Sequence, residues 1–364
     1  MSKLFSPITL GKLVLNNRIV VSPMCQYSAV QGQASDWHLI HLGHMALSGA
    51  GLLFIEATAV TPEGRISESD LGLWSGQTEA ALARVIKSIR QYSSIPIGIQ
   101  FAHAGRKAST QVPWQGGQPI SPENGGWQTV APSALPFAAG GAPPLALDDA
   151  ALRQIRNDYV AAAQRAHGLG IDVIELHAAH GYLLHQFLSP LSNTRDDRYG
   201  GTLENRMRFP LEVFDAIRGA VPDDIPVGIR ISATDWVAGG WDIEHSVIFA
   251  KELQRRGCAF IDVSSGGLSP LQQIPAVPGY QVPFAEIIRR ETGLTTIAVG
   301  LITEPEQAET IISSGQADMV ALARAMLYDP RWPWHAAAKL GAQVDAPKQY
   351  LRAQPREYKS LFRP

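Results

Sequence analysis

Short apolar runs alternate along this chain with longer stretches whose apolar residues recur at helical spacing. Residues 17–22 (Asn17-Arg18-Ile19-Val20-Val21-Ser22) read as a strand stopped by Pro23. A helix over 39–50 then leads into a strand over 51–56, and a helix over 78–92 into a strand over 95–100. The period repeats with helix 148–168 before strand 170–176, helix 203–220 before strand 225–230, and helix 243–256 before strand 259–263. Helix 284–291 precedes strand 295–299, helix 305–314 precedes strand 318–322, and a last helix covers 334–340, giving eight strands and eight helices.

Buried strands alternating with amphipathic helices require a parallel sheet covered by helices. Eight such units predict an α/β fold of the (β/α)8 TIM-barrel type, with an extended loop or lid after strand 3. An open doubly wound sheet fits less well: no strand–turn–helix carries G-x-G-x-x-G, and Gly11-Lys12 is followed by Leu13 rather than Ser or Thr. The loop spans about 109–147, is rich in Gly, Pro and Ser, and carries Trp114 and Trp127. One barrel domain over 1–364 is expected, with a C-terminal tail over about 341–364.

The 364 residues are 45% hydrophobic and 18% charged, the make-up of an ordinary globular protein. A formal charge of −2 leaves no basic footprint for nucleic acid or anionic membrane, so small-molecule partners are expected. The opening residues lack the apolar core of a signal peptide and no run is long enough to span a bilayer, which predicts a cytoplasmic location. Two cysteines, Cys25 and Cys258, exclude a disulfide framework, a four-cysteine zinc site and a cysteine-ligated iron–sulfur cluster within the chain. Cys258 reads as a small buried hydrophobe.

In a parallel barrel the chemistry lies at the C-terminal ends of the strands. Strand 170–176 ends in His177-Ala178-Ala179-His180-Gly181-Tyr182, three polar side chains able to hydrogen-bond or exchange protons. Alternation puts Glu175 with His177, Gly98 with Gln100, and Gly228 with Arg230 on shared faces. Gly300 after the seventh strand and Ala323-Arg324 after the eighth occupy the usual phosphate position of such barrels. No HExxH and no His-x-His on the first strand support a metal hydrolase, so no metal is expected. His38, His41 and His44 fall on one side of an outer helix and read as packing or solvent-facing residues. Glu56 and Glu175 read as inward carboxylates of the scaffold, with Glu175 paired to Arg230 or another interior cation. Lys107 reads as a residue near a cofactor edge or at the surface.

Several longer segments carry a resemblance that covers nearly the whole chain. Ser22-Pro23-Met24-Cys25-Gln26-Tyr27, His103-Ala104-Gly105-Arg106-Lys107, His177 to Tyr182, Phe187-Leu188-Ser189-Pro190, Arg195 to Gly201 and Glu204-Asn205-Arg206 resemble the Old Yellow Enzyme family. Cys25 with the His-Ala-Ala-His order resembles its thermophilic-like branch of ene-reductases.

The resemblance implies non-covalent FMN, NADPH or NADH as reductant, and reduction of activated C=C bonds in α,β-unsaturated carbonyl or nitro compounds. It implies that Arg230 stands against the negative N1–C2=O edge of reduced flavin and Gln100 against the pyrimidine edge. Ser22, Pro23, Met24, Cys25 and Ala57 would line the ring, and Gly300, Ala323 and Arg324 would hold the phosphate. His177 and His180 correspond to the pair that donates to the substrate oxygen, Tyr182 to the proton donor, Cys25 to a modulator of the flavin, and Tyr27 to a substrate contact. Gln349-Tyr350-Leu351-Arg352 resembles a segment whose arginine enters a neighbouring subunit's site, implying a homodimer or homotetramer. Ala323 stands where the family often has glycine, which narrows the freedom of that turn. A dienoyl-CoA-type reductase would need an iron–sulfur cluster, and a dihydrouridine synthase a basic RNA face.

Overall fold

The computed structural model describes residues 2–363. Eight parallel strands, β1 (Ile19–Val21), β2 (Leu52–Ala59), β3 (Ile97–Ala102), β4 (Val173–Ala178), β5 (Val227–Ser232), β6 (Phe260–Ser264), β7 (Thr295–Ala298) and β8 (Met319–Leu322), close into a barrel. Each strand pairs with the next in sequence, and β8 pairs with β1. The helices are α1 (Asp36–Ala46), α2 (Gly76–Arg90), α3 (Asp149–Gly168), α4 (Leu183–Leu188), α5 (Leu203–Ala220), α6 (Ile243–Arg255), α7 (Val282–Thr292), α8 (Pro305–Ser313), α9 (Arg324–Tyr328) and α10 (Trp332–Lys339). The short α4 and α9 follow β4 and β8 and were not announced by any hydrophobic period. Among the described residues no helix is long and apolar enough to cross a membrane.

Local capping explains the boundaries. Asp148, Thr202 and Asp242 each accept an amide hydrogen bond three residues on, which starts α3, α5 and α6 sharply. The first helix begins at Asp36 and ends at Ala46, not over 39–50, because the Ser35 N–H donates to His38 Nδ1 at 3.0 Å and closes the first turn earlier.

Two apolar layers hold the fold. The outer one lies between barrel and helices. The inner one contains Val20, Leu52, Phe54, Val173, Phe260, Ile297 and Met319, joined by Leu10 and Leu15 from the antiparallel hairpin Ile8–Leu10 and Leu13–Leu15. That hairpin precedes β1 and so plugs the N-terminal end of the barrel. Phe54 and Phe260 meet with centroids 6.1 Å apart, and glycine makes the room they need. A Cβ at Gly98 would stand 2.4 Å from the Phe54 ring, and one at Gly228 2.3 Å from the Phe260 ring.

Strand β2 breaks the simple alternation. Ile55 pairs with Ile99 but Ala57 pairs with Gln100, so Glu56 is the extra residue of a β-bulge. The bulge turns Ala57 inward and frees Glu56 from the barrel interior. Glu56 instead faces His38 Nε2 of α1 at 3.2 Å and accepts the Gln26 N–H at 2.9 Å. The inward carboxylate expected at this position is therefore a brace between α1 and the loop after β1.

Residues 109–147 connect β3 to α3 through 3₁₀ turns at Pro113–Gln115 and Pro122–Asn124 and a two-residue ladder between Val130–Ala131 and Leu145–Ala146. Trp127 Nε1 donates to the Glu63 carbonyl, and the Arg65 guanidinium lies over both Trp127 and Trp74. Trp114 is exposed and stands edge-on to Tyr27 with centroids 6.0 Å apart.

The C-terminal segment is not a free arm. A 3₁₀ turn covers Lys348–Ala353, after which Leu361 and Phe362 return to the body and are buried. Val344 bridges to Phe362, whose ring lies 4.7 Å from Trp334. Residues 348–360 thus form a loop pinned at both ends, because two apolar side chains are worth more buried than free.

Candidate active site

Register across neighbouring strands assembles the polar cluster at the C-terminal end of the barrel. Gln100 lies beside Glu175, and His177, Arg230 and Asp262 lie side by side on β4, β5 and β6. Gln100 Nε2 donates to Glu175 Oε1 at 2.7 Å. Arg230 Nε stands 3.3 Å from Asp262 Oδ2, so the guanidinium pairs with Asp262 and not, as expected, with Glu175. Burial pushes the Glu175 carboxyl well up, and the neighbouring Asp262 charge adds to this against the opposing pull of Arg230 and Gln100. Asp262 is itself raised by burial, against Arg230. Asp262 escaped the sequence reading, although an aspartate between apolar residues of a buried strand was its signal.

The turn after β4 brings three of the predicted residues together. His177 is buried, and its Nδ1 accepts the Ala179 N–H at 3.2 Å. Its Nε2 lies 3.3 Å from His180 Nδ1, and His180 Nε2 lies 2.7 Å from Ser264 Oγ. Burial, reinforced by Arg230, holds both imidazoles well below the ordinary histidine range, so both are neutral at pH 7. The Tyr182 ring stands perpendicular to His177 with centroids 4.8 Å apart. Burial and the neighbouring Cys25, Tyr27 and Asp70 push the Tyr182 phenol well up, which keeps it protonated.

Lys107 is partly buried at this end of the barrel and is not a free surface lysine. Its Nζ donates to the carbonyls of His180 and Gly267 at 2.8 and 2.9 Å and lies over the Tyr182 and Phe137 rings. Burial, with Arg106 beside it, lowers it to about 8.

The loop after β1 carries Pro23, Met24, Cys25 and Tyr27, all partly exposed. Burial, with Asp70 and Glu56 nearby, raises the Cys25 thiol well above its usual range, so it is a thiol and not a thiolate. Tyr27, His180, Trp236 and Leu301 are four of the six non-glycine residues with positive φ among the described residues, and all four lie just past barrel strands. Backbone strain concentrates at this end of the barrel, as it does where side chains must be presented in a fixed pose.

The residues present fit FMN. Ser22 Oγ is buried without a hydrogen-bond partner just past the end of β1. At the ends of the adjacent β7 and β8, the backbone N–H groups of Gly300, Leu301, Ala323 and Arg324 donate to no protein acceptor among the described residues. Gly300 and Leu301 both have positive φ, which turns successive N–H groups the same way, and the Arg324 side chain is exposed next to them. That set suits a phosphate. Arg352, by contrast, is exposed on the outer side of the barrel, where its neighbour Tyr350 lies against Arg331 and Trp334.

Among the described residues no three His, Cys, Asp or Glu side chains converge as a metal-ligand set. His38 is buried against Glu56, while His44 is exposed.

The model of the NADH:flavin oxidoreductase / NADH oxidase family matches residues 3–343. An NADPH dehydrogenase of Listeria innocua is 46% identical over 355 residues, covering 97% of this chain and 99% of the relative. An NADPH dehydrogenase of Geobacillus thermodenitrificans is 45% identical over 351 residues, covering 96% and 98%. Among solved structures, morphinone reductase superposes with a TM-score of 0.77 at 31% identity, covering 94% of this chain and 91% of that one. The chain therefore belongs to the NADH:flavin oxidoreductase / NADH oxidase family, the Old Yellow Enzyme family, and is an FMN-dependent NAD(P)H oxidoreductase.

Proposed function

We propose that the enzyme reduces activated C=C bonds of α,β-unsaturated carbonyl or nitro compounds. The observation that carries this reading is the facing of His177 Nε2 and His180 Nδ1 across 3.3 Å beside a protonated Tyr182. Because the Ala179 N–H occupies His177 Nδ1, neutral His177 carries its proton on Nε2. The Ser264 hydroxyl is 2.7 Å from His180 Nε2 but 3.4 Å from Gln281 Oε1, which already accepts from Ser265 at 2.7 Å. In the free enzyme the His177 Nε2–H donates to His180 Nδ1, His180 Nε2–H donates to Ser264, and Ser264 donates to Gln281. A substrate oxygen would take the place of His180 Nδ1 as the acceptor of His177 Nε2–H, and with the His180 proton moved to Nδ1 and Ser264 donating to Nε2 it would accept from both rings. A carbonyl or nitro oxygen held there loses electron density from its conjugated β-carbon.

When bound and reduced by NADPH or NADH, FMN would supply the hydride for that carbon. Tyr182 gives its proton to the α-carbon; its raised pKa keeps the donor loaded at neutral pH. Arg230 and Gln100 would hold the flavin's pyrimidine side, Ser22 to Cys25 and Ala57 would line its ring, and Gly300, Ala323 and Arg324 would take its phosphate. The neutral Cys25 thiol tunes the flavin, and Tyr27 with Trp114 forms one wall of the substrate mouth, under the excursion 109–147 acting as a lid. In the homodimer or homotetramer, Arg352 on its pinned loop serves a neighbour's site.

The test is anaerobic. The NADPH-reduced enzyme should be reoxidised by 2-cyclohexenone, and the oxidised enzyme should bind 4-hydroxybenzaldehyde with a long-wavelength band. His177→Ala with His180→Ala should abolish that band. An unchanged band in the double variant would remove the oxygen-binding role.

A further inference from the structure

We propose that the buried pair His185 and Asp235 is a positioning device for the reaction: it grips the Gly181 amide and thereby fixes the turn that presents His180 and Tyr182. The inference rests on the function proposed for those two residues.

The turn is costly by construction. His180 and Gly181 both lie in the left-handed region, with φ of 56° and 75°. Only glycine fits at 181, since a Cβ there would meet the Gly267 carbonyl oxygen at 2.2 Å. A turn of this kind persists when its surroundings over-determine it. Here the backbone N–H and C=O groups of residues 180–182 all find partners. The His180 N–H donates to Ser232 Oγ at 2.9 Å, and Lys107 Nζ donates to the His180 carbonyl at 2.8 Å. The Gly181 N–H donates to His185 Nδ1 at 2.9 Å, and Gln186 Nε2 donates to the Gly181 carbonyl at 2.7 Å. The Tyr182 N–H donates to the Ala179 carbonyl at 3.1 Å, and the Gln186 N–H to the Tyr182 carbonyl at 2.8 Å.

Among these partners only His185 has a ring whose role depends on its tautomer, and Asp235 sets that tautomer. Both side chains are wholly buried. His185 Nε2 stands 2.9 Å from Asp235 Oδ1 in a contact off the line of a straight hydrogen bond, and neither atom has a better-aligned partner. The second carboxylate oxygen is occupied by the Ser189 hydroxyl at 2.6 Å and the Trp241 N–H at 2.8 Å. A carboxylate at Nε2 keeps the proton on Nε2 and leaves Nδ1 as the acceptor that the Gly181 amide requires. Burial pushes the Asp235 carboxyl up, but His185, Ser189 and Trp241 outweigh it, so it stays ionised. The polar contacts of His185 are the Gly181 amide and Asp235, and it has no exposed surface, which makes it a positioning residue and not a participant in the chemistry.

Three variants of the FMN-loaded enzyme test this. His185→Leu removes the acceptor. Asp235→Asn changes one heavy atom and no packing contact; with its oxygen claimed by Ser189 and Trp241, its amide faces Nε2 and drives the ring proton to Nδ1, against the Gly181 N–H. His185→Gln retains both an acceptor and a donor. We measure FMN per chain, kcat and KM for reoxidation by 2-cyclohexenone, the Kd for 4-hydroxybenzaldehyde, and hydrogen exchange in peptides covering 179–188.

The Leu and Asn variants should keep FMN, lose about ten- to hundredfold in kcat, the scale of a misplaced catalytic group, bind the phenolate more weakly, and exchange faster in this segment. The Gln variant should recover most of each loss. Wild-type kinetics and exchange in the FMN-loaded Leu and Asn variants would overturn the proposal, as would a Gln variant as impaired as Leu, which would mean packing alone matters. Should His185→Leu fail to fold, Asp235→Asn decides. If the wild-type enzyme is not reoxidised by the enone, the proposed function fails instead, and the exchange data still judge the clamp.

Discussion

The interior of this barrel has two halves built by the same eight strands. Toward the N-terminal end it is filled by Phe54, Phe260, Leu52, Val173 and Met319 and plugged by Leu10 and Leu15. Two residues further along β5 and β6 the inward positions become Arg230 and Asp262, with Gln100, Glu175 and His177 beside them. The core side chains of the lower half have no polar atom to satisfy and gain stability from burial and close packing. The upper half spends stability, since it holds neutral imidazoles, a protonated phenol and strained turns out of water. The comparison teaches that a parallel barrel can separate the two tasks by depth, with one strand serving both.

The largest expected effect lies in the upper half. Tyr182→Phe should slow reoxidation of the reduced enzyme by an enone about 10²- to 10⁴-fold, the span of a general-acid contribution. Reduction by NADPH and thermal stability should change little. Stopped-flow absorbance separates the two half-reactions, and an unaltered oxidative rate would assign the proton to another donor.

A pH series tests the claim that the upper half costs stability. Burial holds the His103 imidazole, at the end of β3, down at about 4. Between about 4 and the ordinary value near 6.5 the unfolded chain binds a proton that the folded chain does not. Stability from this group is therefore complete above about 6.5 and is lost as pH falls through about 4, by about 3 kcal/mol at most. Urea unfolding of wild type and His103→Asn should give a difference that grows across this window and is flat above it. A difference independent of pH would mean that the folded protein tolerates the charged ring.

Gly228→Ala probes the lower half. The new methyl carbon would sit 2.3 Å from the buried Phe260 ring, so the ring or the strand must move. Overpacking of this kind costs about 1–3 kcal/mol. Calorimetry should show a lower Tm while turnover per bound FMN stays close to wild type; a large loss of turnover at unchanged Tm would show that the halves are not separable.

The smallest effect is expected outside both halves. Arg352→Ala should raise the KM for substrate by a few fold, the scale of about 1 kcal/mol in transition-state binding, without loss of FMN. Truncation is a poorer test than this single change, because it also removes the buried Leu361 and Phe362. Kinetics indistinguishable from wild type would leave the pinned loop without a part in catalysis.

What the sequence determined by itself is the set of elements and their order. Periods of 2 and 3.6 are local, so eight apolar runs alternating with eight amphipathic stretches are readable without knowing what touches what. The ends of the runs then point to His177, His180, Tyr182, Arg230 and Gly300, because a parallel barrel places all such ends on one face. What only the tertiary structure decided is which polar groups answer one another. Arg230 pairs with Asp262 because β5 and β6 set those residues opposite one another, a matter of register between strands separated by a whole helix. Glu56 leaves the interior because of a one-residue bulge that no alternation pattern carries. Lys107 reaches the His180 carbonyl and Asp235 reaches His185 across wide sequence separations. A buried charge has to find whatever partner the closed barrel brings within hydrogen-bond reach, and that distance exists only once all eight strands are in place.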